Sequence, residues 1–63
     1  MLEKYPDLIS RQELKEILRI GESTSYKIIH RELEAFMQGN KWLIPKESVI
    51  KYINEKIADQ QDH

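Results

Sequence analysis

Apolar positions along the chain fall into three helical stripes and one alternating stretch. Leu14, Ile17 and Leu18 recur at i, i+3 and i+4 behind Ser10-Arg11-Gln12-Glu13, a capping box that predicts a helix start at Ser10. Ile9 before the cap and Leu14 after it are spaced for a hydrophobic staple. Ile20-Gly21-Glu22 should end this helix, with Gly21 supplying the left-handed residue. Ser23-Thr24-Ser25 offers hydroxyl caps for a second helix to about Leu33, with Ser25, Ile28, Ile29 and Leu33 turned inward. Two apolar runs then flank Gln38-Gly39-Asn40, which predicts a two-stranded hairpin with Trp42 and Ile44 on one side and Leu43 on the other. A hairpin alone is marginally stable, so Trp42 or Phe36 should pack it onto the helices. After Pro45, Val49, Ile50, Ile53 and Ile57 mark a third helix from Lys46 to about Ala58. Residues 1–8 read as an extended lead-in, and Asp59-Gln60-Gln61-Asp62-His63 as a frayed end.

The expected fold is mainly α with a small β-hairpin, in a single domain over 1–63 whose ordered core runs from about 8 to 58. On the second helix the outward positions follow from the inward ones. Thr24, Lys27 and Arg31 share a face, with Ser23, Tyr26 and His30 beside them and no acid among them. Two short helices joined by a tight turn, the second carrying hydroxyls at its start and cations along its outer face, form a helix-turn-helix pattern. The hairpin adds a two-stranded ribbon to the three short helices.

Composition narrows the function. A chain of 63 residues builds one small core and no deep catalytic cleft, so an enzyme is not expected. It has no Cys, and His30 and His63 are too far apart to pair as ligands, so no cofactor or metal is expected. No apolar run is long enough to span a membrane and no leader pattern opens the chain, which makes the cytoplasm the expected location. A net charge of -1 speaks against nucleic acid until the charges are placed. From Thr24 to Lys46 the cations Lys27, Arg31, Lys41 and Lys46 outnumber Glu32 and Glu34, while Glu3, Asp7, Glu55, Asp59 and Asp62 sit toward the ends.

That distribution points to double-stranded DNA as the partner. Lys27 and Arg31 suit guanine edges in a major groove, and Ser23, Thr24 and His30 add donors and acceptors. The competing reading of the two cations is a solvated face paired with acids. Gln38, Asn40 and Lys41 at the hairpin tip either reach a backbone phosphate or serve turn chemistry alone. Arg11 and Gln12 open the first helix, where free N–H groups favour an anion. Tyr26 reads as a mixed core and phosphate residue, Trp42 as a core anchor.

The segments Leu8-Ile9-Ser10-x-x-Glu13-Leu14, Ser23-Thr24-Ser25-Tyr26-Lys27-Ile28-Ile29 and Gly39-x-x-Trp42-Leu43-Ile44-Pro45, spread over about residues 8–57, resemble the excisionase-type winged helix-turn-helix domains, relatives of the MerR-type regulators. The resemblance implies that the second helix enters the major groove and that the hairpin is a wing, with Thr24, Tyr26, Lys27 and the neighbourhood of Gly39 on DNA. It further implies a role in excising mobile elements: binding repeated sites beside neighbouring copies, bending the DNA and assisting a tyrosine integrase. The chain departs from the family at Arg19, Arg31 and Glu34, where Gly, Gly and Pro are common, and at Met37, where a wing cation is common; this leaves Lys41 as the wing's source of charge. A small transcriptional regulator of the same fold and a protein–protein interaction module remain the alternatives.

Overall fold

The computed structural model describes residues 1–61. Its elements run β1 (Leu8–Ser10), α1 (Arg11–Leu18), α2 (Glu22–Arg31), β2 (Phe36–Gln38), β3 (Lys41–Pro45) and α3 (Lys46–Gln61). α1 starts where its capping box sets it: the Glu13 N–H donates to Ser10 Oγ at 3.1 Å and the Ser10 N–H donates to Glu13 Oε1 at 2.9 Å. The staple residues Ile9 and Leu14 are both fully buried.

The turn between α1 and α2 differs from the sequence expectation. Arg19, at φ 55° and ψ 50°, is the left-handed residue, and its N–H bonds to the Lys15 carbonyl. Gly21 is extended at φ −86° and ψ −174° and is the N-cap of α2. The cause is packing: the inward stripe of α1 ends at Leu18, so the chain reverses immediately after it, before Gly21 is reached. Ser23, Thr24 and Ser25 consequently lie inside the first turn of α2 and do not cap it; α2 has no side-chain cap. α2 also stops at Arg31, two residues early, where the N–H groups of Glu32 and Leu33 both bond to the Ile28 carbonyl. Leu33 still packs against the core from outside the helix.

The hairpin forms as expected, with Met37 opposite Trp42 and Gln38 opposite Lys41, leaving Gly39 and Asn40 as a two-residue loop. Gly39 has φ +61° and Asn40 does not have positive φ, the signature of a type II′ turn, which requires Gly at its first position. The sheet has three strands, not two, in the order β1-β3-β2. Part of the expected lead-in is therefore a strand: β1 pairs antiparallel with β3, setting Ile9 opposite Ile44 at the centre of the core. Ile9, Leu14, Ile29, Ile44 and Val49 form that core, with Trp42 packed against it as the anchor of the hairpin.

α3 follows Pro45 directly and extends three residues past Ala58. Asp59, Gln60 and Gln61 are helical rather than frayed; Asp62 and His63 lie outside the described residues. The expected stripe of α3 meets the core only in its first half. Val49 is fully buried and Ile53 packs on the core, whereas Ile57 is 46% exposed. Sixteen residues of helix are about 24 Å long, longer than so small a core can cover.

Candidate nucleic-acid interface

Burial of Ser25 and Ile29 fixes the rotation of α2, and the opposite face is open: Ser23, Thr24, Tyr26, Lys27, His30 and Arg31 are all exposed. Among the described residues, Lys27, Arg31 and Lys41 take part in no ion pair. The picture of a cationic face neutralised by acids therefore does not describe α2. The His30 ring meets the Trp42 ring edge-on, with centroids 5.2 Å apart, which ties the outer face of α2 to β3 and sets the wing beside it.

Beside the wing lies a cleft of about 330 Å³, lined by Ser10 and Arg11 at the start of α1, by Tyr26 of α2, and by Met37, Asn40, Lys41 and Trp42 of the hairpin. The cleft thus gathers Arg11, Tyr26, Asn40 and Lys41 from three separate stretches of sequence. Gln12 and Gln38 are exposed but do not line it.

Arg11 is engaged rather than free. Its Nη2 pairs with Glu22 Oε2 at 2.9 Å, its Nη1 donates to Ser25 Oγ at 3.4 Å, and its guanidinium carbon lies 4.5 Å from the centre of the Tyr26 ring. Lys15 Nζ donates to the other carboxylate oxygen of Glu22 at 2.6 Å. The hydrogen bonds from Arg11 and Lys15 hold the Glu22 carboxyl down to about 2, and the bond to Glu22 raises the Arg11 guanidinium above its ordinary value. Sequence reasoning missed Glu22 and Lys15. A signal existed: Arg11 and Lys15 share one face of α1 at i, i+4, and Glu22 is the first acid after the turn.

Lys46, counted with the cationic stretch, stands elsewhere. Its Nζ donates to the Tyr5 carbonyl at 3.1 Å and sits 4.0 Å from Asp7, against the N-terminal segment. Glu32 and Glu34 turn away as well, lining with Glu47 and Glu55 a separate hollow between the end of α2 and α3. Among the described residues there is no group of three or more His, Cys, Asp or Glu side chains placed to hold a metal ion, and no helix is long and apolar enough to cross a membrane.

Neither a search of curated proteins nor one of solved structures returned a match. A family profile did: residues 8–57, from the first strand to the exposed isoleucine of α3, fit the one described as Helix-turn-helix domain. Helix-turn-helix domains are DNA-binding modules whose second helix is the reading element. In this chain α1 and α2 are joined by a tight turn at the left-handed Arg19, and with the profile covering residues 8–57 the chain belongs to the helix-turn-helix domain family.

Proposed function

We propose that this protein binds double-stranded DNA sequence-specifically and acts as an excision factor for a mobile element, bending its site beside neighbouring copies and assisting a tyrosine integrase. Ser23, Thr24, Tyr26, Lys27, His30 and Arg31 face the major groove; Gln38, Asn40 and Lys41 lie along the flanking backbone; Gln12 approaches a phosphate at the start of α1. The observation that carries DNA binding is the set of exposed cations Lys27, Arg31 and Lys41, without an ion pair among the described residues, on the second helix and the wing next to it. The excision role rests on the resemblance described above.

The test is an anisotropy titration of a duplex enriched by the protein from a random-sequence pool. With one counterion released per free cation, affinity should fall about 40-fold between about 50 and 200 mM salt, and Lys27→Ala or Arg31→Ala should each reduce that fall to about 12-fold. No enrichment, or binding indifferent to salt, would refute the DNA reading. For the excision role, a circular-permutation gel should show bending, and adding the protein to integrase and a paired-end substrate should raise excision. A protein that binds the same DNA and leaves excision unchanged is a regulator instead.

A further inference from the structure

Arg11 stands on the wall of the cleft beside the wing, yet both terminal nitrogens of its guanidinium are already engaged by α2. One nitrogen pairs with Glu22, another donates to Ser25, and the guanidinium carbon lies 4.5 Å over the Tyr26 ring; the side chain is only 24% exposed. Each of these partners belongs to the first turn and a half of α2. Ser25 is fully buried and donates to the Glu22 carbonyl at 2.6 Å, so the group that Arg11 grips is itself rigid.

We infer that Arg11 is a positioning residue, which holds the first turn of α2 and the Tyr26 ring at the angle from which they meet DNA, and is not itself a phosphate contact. The inference rests on the proposed DNA binding. Two arguments support it. A phosphate bonding the edge of Arg11 that faces Glu22 would compete with that carboxylate, and one bonding elsewhere on the guanidinium would lie beside it. The charge of Arg11 is also matched by Glu22, so contact there would release little counterion, unlike contact at Lys41. The role needs a planar fork that bonds along its edge and stacks on its face, which Lys does not have.

The experiment compares Arg11→Lys, Arg11→Gln and Lys41→Ala on the duplex enriched by the wild-type protein. It is run over a salt series well below the melting temperature, with the folded fraction followed by circular dichroism. Arg11→Lys and Arg11→Gln should each weaken binding about tenfold with no change in salt slope, and the loss should be smaller in a Tyr26→Leu background, since paired residues are non-additive. Lys41→Ala, at an exposed position, should flatten the slope by about 0.9. If Arg11→Lys binds like wild type while Arg11→Gln flattens the slope, Arg11 is a phosphate contact and the inference is wrong. If both Arg11 variants lower the melting temperature but bind normally when folded, the role is only structural and the inference is equally wrong. Absence of salt-sensitive binding by the wild-type protein would instead remove the DNA reading itself.

Discussion

The turn between α1 and α2 offers the strictest check on how this chain folds, because two residues compete for its left-handed position. Arg19 occupies it at φ 55°, while Gly21 is extended at φ −86°. A side chain in the left-handed region costs roughly 1–2 kcal/mol, and Arg19 has no ion pair among the described residues to offset that. Arg19→Gly removes the strain but loosens the unfolded chain by about 0.4–1 kcal/mol, for a net gain of about 0.5–1 kcal/mol. Gly21→Ser should also stabilise. Apart from its chain neighbours, a Cβ at Gly21 would meet no heavy atom of the described residues within 4 Å, and α2 has no side-chain cap for its N–H groups. A serine hydroxyl there supplies one, and the stiffer unfolded chain brings the total to about 0.5–1 kcal/mol. Each substitution should raise the midpoint of a thermal melt, followed by far-UV circular dichroism, by about 2–8 °C. If the left-handed residue were Gly21, Gly21→Ser would lower the midpoint and Arg19→Gly would fail to raise it. That pair of results would refute the placement.

Two further outcomes follow from packing and charge. Val49→Ala deletes two fully buried methyl groups and should cost about 2 kcal/mol in urea denaturation, whereas Ile57→Ala, at a half-exposed position of the same stripe, should cost no more than about 0.5 kcal/mol; equal losses would place α3 wrongly on the core. The Glu22 carboxyl titrates at about 2 in the folded protein against an ordinary 4.5, so its contribution to stability is complete above about pH 4.5 and is lost as the pH falls toward 2. The melting temperature of the wild-type protein should therefore drop more steeply than that of Glu22→Gln over that interval, and added salt should shrink the difference because the Glu22 side chain is 57% exposed. Parallel acid limbs would show that Arg11 and Lys15 do not hold Glu22 in solution.

What could be read from the sequence was what depends on neighbours along the chain. The capping box at Ser10 and Glu13 and the loop at Gly39 are local, and both stand where the pattern puts them. β1 was not legible because three residues, the last of them a helix cap, become a strand only through β3, far along the chain. The left-handed position was misread because propensity favours Gly21, while the choice was made by where the inward stripe of α1 ends. Periodicity likewise ran on to Ile57 without marking where the core stops. For the candidate interface, the open face of α2 was a matter of helical geometry and could be drawn from the buried positions alone. The grip of Arg11 on Glu22 and Tyr26 could not, since it depends on how two helices cross.

The net charge of -1 takes its meaning from these placements. Glu22 is consumed by Arg11 and Lys15, and Glu32, Glu34, Glu47 and Glu55 gather with Lys51 in a hollow that shares no residue with the cleft beside the wing. Lys46 is spent on the N-terminal segment, so Lys27, Arg31 and Lys41 remain as the free charge of the proposed interface. Their small number bounds what a lone copy does on DNA. Three counterions give a modest non-specific affinity, and bending a site costs of order 1–6 kcal/mol. One such domain would have little left for specificity after bending its own DNA. Under the proposed function, adjacent copies must therefore share the bend, and binding to tandem sites should be steeper in protein concentration than binding to one.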